Sequence, residues 1–161
     1  MIAFVLLALG LCGVAAALQA TAASRRARLG AVLAAAGAGL TLPYYGAETF
    51  GLHAARQQAL RRGDAQLLTS LTDAIRWQQG IWFITVGLLL VAADAIIIAG
   101  AIWGSRSLAR YAGIPLAVGF ALYLPQFTAG QPVRVAHGLL IAAGGLLLAW
   151  NLVRRTERRY A

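Results

Sequence analysis

The stretch that decides the fold is residues 81–103, IWFITVGLLLVAADAIIIAGAIW. A helix needs roughly 20 mostly apolar residues to cross the hydrocarbon core of a bilayer, and this stretch has that length with one charged residue, Asp94. Apolar and polar residues do not alternate along it, as they would in the strand of a membrane barrel. The sequence therefore predicts a transmembrane α-helix here.

The composition of the whole chain agrees with this prediction. Of the 161 residues, 60% are hydrophobic and 12% are charged, whereas soluble domains are about 45–50% apolar and about 25% charged. The length suits a single domain, residues 1–161. We therefore expect an all-α integral membrane protein built as one helical bundle.

Four further apolar segments approach the length of a membrane span, and they are residues 2–23, 29–47, 111–129 and 136–153. Prolines at positions 43, 115 and 125 interrupt two of them. Such prolines are tolerated in a membrane where neighbouring helices satisfy the freed carbonyls. With residues 81–103, the sequence predicts a five-helix transmembrane bundle.

The arginines predict the orientation of this bundle, because short cytoplasmic loops accumulate positive charge. All 14 basic residues are arginines. Five spans place nine of them on one side with a single acid, Glu157, and five on the other side with three acids. The first set comprises Arg25, Arg26, Arg28, Arg106, Arg110, Arg154, Arg155, Arg158 and Arg159; the second comprises Arg56, Arg61, Arg62, Arg76 and Arg134. The amino terminus is therefore expected outside and the carboxyl terminus inside.

Residues 2–23 have a second interpretation as a cleaved signal peptide, since the run ends in Thr21-Ala22-Ala23. No basic residue precedes it, and its removal would place the arginine-rich carboxyl terminus outside, against the charge rule. We expect a retained first helix. The arginine-only basic set and the abundance of glycine and alanine suggest a genome rich in G and C, so we expect a multi-pass protein of the bacterial inner membrane.

Residues 48–79, between the second and third spans, predict a helix–turn–helix lobe on the outer face. Gly63 follows Arg61-Arg62 and can adopt the left-handed conformation that ends a helix. Asp64 can then cap the next helix. This lobe either lies on the lipid interface or folds over the bundle as a lid.

Several kinds of chemistry are disfavoured by the sequence. A single cysteine, Cys12, excludes an intramolecular disulfide. The metalloprotease, hydrolase, phosphate-loop and dinucleotide motifs are absent. The net charge of +9 does not indicate nucleic-acid binding, since the arginines follow the spans, where they meet anionic lipid headgroups.

Asp94 is the most unusual residue, because an ionised carboxylate in mid-span costs at least about 2.5–3.5 kcal/mol. It has no predicted counter-ion at its depth. We expect a protonated carboxyl, or one that faces a wet cavity. It either has a role in proton or substrate handling or is only hydrogen-bonded to a neighbour such as Thr41.

Polar and aromatic side chains collect at the predicted outer ends of the spans. This pattern indicates either an outer aromatic belt or an outward-facing cavity lined by spans two to five and covered by the lobe. In the second case the predicted ligand-binding residues are Tyr44, Tyr45, Glu48, His53, Asp94, Tyr123, Gln126 and His137. No cofactor is expected, although His53 and His137 come from different predicted helices and form a candidate pair of haem or metal ligands.

Three classes of function fit these features. The first is a module that binds or transports a small amphiphilic or lipid-like ligand, which suits an apolar site with a few polar groups. The second is an accessory or assembly subunit whose small-residue faces dock on partner helices or on a second copy of the chain. The third is a membrane enzyme that uses Glu48, His53 or His137 as acid–base groups, and the absence of a motif argues against it.

Overall fold

The structure is a computed structural model that describes residues 1–160, and the side chains of all of these except Gln79 and residues 158–160. The side chains of Arg158 and Arg159, which were counted in the predicted orientation, are therefore outside the described ones. The described residues are 89% helical and contain no strand. Its α-helices are α1 (Ile2–Leu18), α2 (Ser24–Gly46), α3 (Leu52–Arg62), α4 (Ala65–Asp73), α5 (Ile81–Ser105), α6 (Ile114–Ala121) and α7 (Gln131–Tyr160). Two π-helical segments, Ala47–Gly51 and Ala74–Gly80, and two 3₁₀ segments, Arg110–Gly113 and Pro125–Thr128, complete it.

Three helices are long and apolar enough to cross a membrane: Ser24–Arg62, Ile81–Ser105 and Gln131–Glu157. The helix α1 is apolar but shorter. The outside of the bundle carries many large apolar side chains, and Leu6, Leu89 and Leu146 are at least half exposed. A surface of this kind suits lipid rather than water.

The helices pack side by side with alternating direction. Phe4, near the start of α1, contacts Tyr45 at the end of α2 and Tyr123 after α6. At the opposite end of the bundle, the guanidinium of Arg155 in α7 donates to the carbonyl of Ala17 in α1. The helices α1 and α7 therefore run parallel, and α2, α5 and α6 alternate between them.

The most extensive contact between helices is that of α2 with α5, and we call it the glycine seam. A Cβ atom added at Gly37 would lie 2.8 Å from the carbonyl oxygen of Gly87. A Cβ at Gly30 would lie 2.6 Å from the side chain of Ile98. The absence of a side chain at these glycines therefore allows α2 and α5 to approach closely.

The predicted fourth span, residues 111–129, does not form one continuous helix. The helix α6 has only eight residues, and a 3₁₀ segment lies on either side of it. Proline lacks an N–H group and therefore suits the first turn of a helix. Pro115 begins α6 and Pro125 begins the second 3₁₀ segment, so these prolines start helices rather than interrupt one.

The first two predicted spans also have different bounds. The helix α1 ends at Leu18, before residue 23, and α2 begins at Ser24 rather than at residue 29. Thr21 explains part of this difference, because its hydroxyl donates to Leu18 O and accepts from the N–H of Ala23. These local bonds compete with a helical backbone and favour a turn.

The predicted helix–turn–helix of residues 48–79 is present as α3 and α4. Gly63 is left-handed with φ of 65°, and the Asp64 carboxylate accepts a 3.0 Å bond from the N–H of Leu67, as the sequence predicts. The helices α3 and α4 pack mainly against each other and against the π-helical segments. The helix α3 continues α2 into one helix of 39 residues, about 58 Å long at 1.5 Å per residue.

Candidate functional site

Two cavities lie on either side of a pair of tyrosine hydroxyls. The hydroxyls of Tyr45 and Tyr123 are 3.3 Å apart. On one side a cavity of about 610 Å³ runs between α1, α6 and α7, and we call it the lateral groove. On the other side a cavity of about 530 Å³ lies between the end of α2, the start of α5 and the segment Ala74–Gly80, and we call it the tyrosine cavity.

The lateral groove is long, narrow and mostly apolar. Along α7 its lining residues run from Arg134 to Leu152, a length of about 27 Å at 1.5 Å per residue. The opposite wall is α1, from Ala3 to Val14. The groove therefore extends through much of the height of the bundle.

The polar lining residues of the groove lie together at one end, which is the end where α7 begins. They are Tyr123, Gln126, Arg134 and His137. His137 is 8% exposed, and its Nε2 donates a 2.7 Å hydrogen bond to the carbonyl oxygen of Gly119. Tyr123 stacks on Phe120 and meets the His137 ring edge to face at 5.4 Å.

The geometry of the α6 terminus explains the His137 bond. The last carbonyls of a helix have no partner within the helix. The N–H of Tyr123 bonds to Phe120 O rather than to Gly119 O, so the Gly119 carbonyl is free to accept from His137. Gly119 also brings the two helices together, since a Cβ at this position would lie 2.6 Å from the side chain of Ile141 in α7.

The tyrosine cavity contains an ion pair between its two π-helical segments. Arg76 donates from Nε to one Glu48 oxygen at 2.6 Å and from Nη2 to the other at 3.1 Å. The hydroxyl of Tyr44 donates to Glu48 at 3.1 Å. The hydrogen bond to the Glu48 carboxylate raises the pKa of Arg76. Single π turns of this kind occur often at functional sites.

Six of the eight predicted site residues line one of the two cavities. Tyr44, Tyr45 and Glu48 line the tyrosine cavity, and Tyr123, Gln126 and His137 line the lateral groove. The predicted single cavity lined by spans two to five is wrong. The first helix forms a wall of the groove, and α2 and α5 line the other cavity.

His53 is not part of either cavity. It is exposed on α3, where its Nε2 lies 3.0 Å from the side-chain nitrogen of Gln57. His137 is buried between α6 and α7, so the two histidines do not share a site that would hold a haem or a metal between them. Among the described residues, no group of three or more histidine, cysteine, aspartate or glutamate side chains is placed to bind a metal ion.

Asp94 is completely buried on α5 and lines neither cavity. Both of its carboxyl oxygens lack a hydrogen-bond partner among the described residues. The interpretation that Thr41 is its partner is wrong, since the Thr41 hydroxyl donates to Gly37 O at 2.7 Å within its own helix. Asp94 is therefore separate from the other predicted site residues.

The predicted ligand-binding residues do not include Phe4, Arg76 and Arg134, which also line the cavities. Phe4 lines the groove but is one apolar residue in an apolar run, so nothing in the sequence distinguishes it. Arg134 and Arg76 were noted only as charges that set orientation. Arg134 lies three residues before His137, and Arg76 lies next to Trp77. A charged side chain so close to a histidine or a tryptophan at the end of a span is the signal that could have identified these two arginines.

Comparison with known proteins gives no further indication. No protein-family model matches the chain, and neither does a curated protein or a solved structure.

Proposed function

We propose that this chain is a five-span protein of the bacterial inner membrane that binds a small amphiphilic or lipid-like ligand in the lateral groove. The groove itself is the observation that carries this proposal. Ligand sites in helical proteins are mostly apolar cavities of about 300–1,000 Å³ with a few placed polar groups. The groove has that size, and its polar side chains lie at one end.

The shape of the groove favours a ligand with a chain and a head. A compact polar ligand would leave the apolar length between α1 and α7 unfilled. A hydrocarbon chain in that length buries apolar surface, and its polar head then lies beside Tyr123, Gln126 and His137. An amphiphile therefore matches both ends of the groove at once.

The glycines of the groove show that space is left open there. A Cβ atom added at Gly138 or Gly145 would have no heavy atom within 4 Å. Both glycines line the groove. Larger side chains at these positions would fill the groove without displacing a neighbour, and this makes the proposal testable without damage to the fold.

The test uses native mass spectrometry of the full chain, purified in a mild detergent and incubated with a mixture of phospholipids. The Gly145→Leu variant is expected to retain at least about tenfold less bound lipid than the unsubstituted protein, which corresponds to about 1.4 kcal/mol. Gly39→Leu is the matched control, because Gly39 also faces open space but lies on α2 away from the groove. Equal lipid retention by the two variants would contradict the proposal.

The five-span orientation, with the amino terminus outside and the carboxyl terminus inside, is supported by the charges. Arg25, Arg106 and Arg154 lie near the end of the bundle where Arg155 meets Ala17, and the positive-inside rule assigns such an end to the cytoplasm. In a Cys12→Ala background, Gln66→Cys is expected to react with an impermeant maleimide in intact cells. Thr156→Cys is expected to react only after lysis, and the reverse pattern would invert the orientation.

A second candidate function, assembly with a partner helix, is favoured by one observation on α5. A Cβ atom at Gly100 or Gly104 would have no heavy atom within 4 Å, so this pair of small residues is not used within the chain. Such pairs let helices approach closely in membranes. Loss of a co-purifying partner or of a dimer in Gly100→Leu, with unchanged lipid retention, would support this role.

A further inference from the structure

The structure fixes one cation at the polar end of the lateral groove. The guanidinium of Arg134 donates from Nε to Ala129 O at 3.0 Å and from Nη2 to Phe127 O at 2.7 Å. Phe127 lies in the second 3₁₀ segment, and Ala129 follows that segment directly, before α7. The side chain is therefore held in place by backbone, and its remaining group, Nη1, has no hydrogen-bond partner among the described residues.

The charge of Arg134 is not balanced by a carboxylate. The groove lining contains no aspartate or glutamate. Within the described part of the chain, the nearby ion pair joins Arg76 to Glu48 and does not involve Arg134. The positive end of the α7 dipole lies at the same place, since α7 begins at Gln131. This end of the groove is therefore suited to bind an anionic group of a ligand.

We propose that the lateral groove takes an anionic phospholipid, with one acyl chain between α1 and α7 and the phosphate on Arg134. This inference rests on the proposed function and adds the headgroup class and the residue that selects it. The positive charge of Arg134 attracts the phosphate, and its Nη1 group can donate a charge-assisted hydrogen bond to a phosphate oxygen. Arg134 is then a specificity-determining residue of the groove.

The open side of the groove favours a lipid of the surrounding bilayer over a water-soluble anion. Leu6 lines the groove and is 62% exposed, so the groove opens sideways along α1. A phospholipid can enter from that side with one chain, while its second chain stays in the bilayer. Inorganic phosphate would contact Arg134 but leave the apolar length of the groove empty.

The test is a competition between two phospholipids with the same acyl chains. The full chain in detergent is incubated with equal amounts of phosphatidylglycerol and phosphatidylcholine, and bound lipids are counted by native mass spectrometry. Both lipids carry a phosphate, but phosphatidylcholine adds a choline cation that Arg134 repels. The unsubstituted protein is therefore expected to prefer phosphatidylglycerol, and Arg134→Gln is expected to lower this preference about fivefold, the effect of about 1 kcal/mol per surface charge. Arg56→Gln, a change of an exposed arginine on α3, is expected to keep it.

Two more variants separate the causes. Arg134→Lys keeps the positive charge but loses the two hydrogen bonds to the carbonyls of Phe127 and Ala129. This variant is expected to keep most of the preference for phosphatidylglycerol. If Arg134→Lys loses the preference as completely as Arg134→Gln, Arg134 acts by holding the turn, and the inference is overturned. If Arg134→Gln keeps the full preference while Gly145→Leu loses lipid, the groove selects the anionic lipid without Arg134, and the inference is overturned. If Gly145→Leu retains lipid, the proposed function itself fails.

Discussion

Two helix contacts in this molecule contain the same small residues and differ in what those residues do. In the glycine seam, Gly37 and Gly87 bring the backbones of α2 and α5 together, and a Cβ at Gly37 would collide with a carbonyl. In the lateral groove, Gly10 and Gly145 face open space between α1 and α7. Glycine closes one contact and leaves the other open.

This difference separates stability from binding. Close contact between helices in the seam supplies van der Waals packing, which is the main attraction between helices in lipid. The groove forgoes that packing over a length of about 27 Å along α7. A contact that a folded chain leaves open in this way requires something else to fill it, and we propose that lipid does so.

The largest expected effect is at the seam. Gly87→Leu places a side chain against Thr41 and the carbonyl oxygen of Gly37, and backbone cannot move aside easily. The free energy of unfolding in detergent is expected to fall by about 1–3 kcal/mol or more. Gly39→Leu on the same pair of helices is the control and is expected to unfold like the unsubstituted protein. Equal stability of the two variants would remove the distinction between closed and open glycines.

The next effect is at the groove, approached from its other wall. Gly10→Leu on α1 is expected to reduce lipid retention about tenfold, as Gly145→Leu does from α7, while the unfolding free energy stays within about 0.5 kcal/mol. Gly13→Leu is the control on the same helix, since Gly13 also faces open space but does not line the groove. Retention that falls equally in both α1 variants would indicate binding to the outside of α1.

A smaller effect is expected at the pair of tyrosine hydroxyls that lies between the two cavities. Tyr45→Phe removes one of the two hydroxyls that separate the cavities and leaves Tyr123 without that partner. A neutral hydrogen bond contributes about 0.5–1.5 kcal/mol to stability, and the unfolding free energy should fall by that amount. In a double-mutant cycle, Tyr123→Phe should then add little further loss. Full additivity would show that the two hydroxyls are not coupled.

The smallest effect is expected at Asp94. Neither of its oxygens has a hydrogen-bond partner in the described chain, so Asp94→Asn breaks no bond. We expect the unfolding free energy to change by less than about 1 kcal/mol, and lipid retention to be unchanged because Asp94 does not line the groove. A loss of lipid retention in this variant would connect the seam to the groove and would restore Asp94 as a site residue.

The all-helical character and the turn at Gly63-Asp64 could be predicted because they depend on local signals. Hydropathy predicts helices over residues 81–103, and the left-handed glycine with its following aspartate cap is a short-range pattern. The division of residues 111–129 could not be predicted with the same ease. A proline within an apolar run looks the same in the sequence whether it starts a helix or interrupts one. The sequence therefore does not locate the helix boundaries in this region.

The candidate site was predictable as a set of residue types but not as a geometry. Tyrosines and histidines near span ends were visible in the sequence, and six of the eight predicted residues line the two cavities. Which glycines close a contact depends on how the helices are rotated about their axes. Gly37 is packed and Gly39 is open, only two residues away on the same helix. Such rotation is fixed by tertiary packing, which one sequence does not reveal.

The central claim, that lipid occupies the groove, is tested most directly by photo-cross-linking. The full chain is reconstituted with a phospholipid that carries a diazirine in its acyl chain, irradiated and digested, and the labelled residues are identified by mass spectrometry. We predict that label concentrates on groove residues such as Leu11, Ile141 and Leu148. Label spread evenly over the exposed apolar residues Val32, Leu89 and Ile96 would contradict the claim.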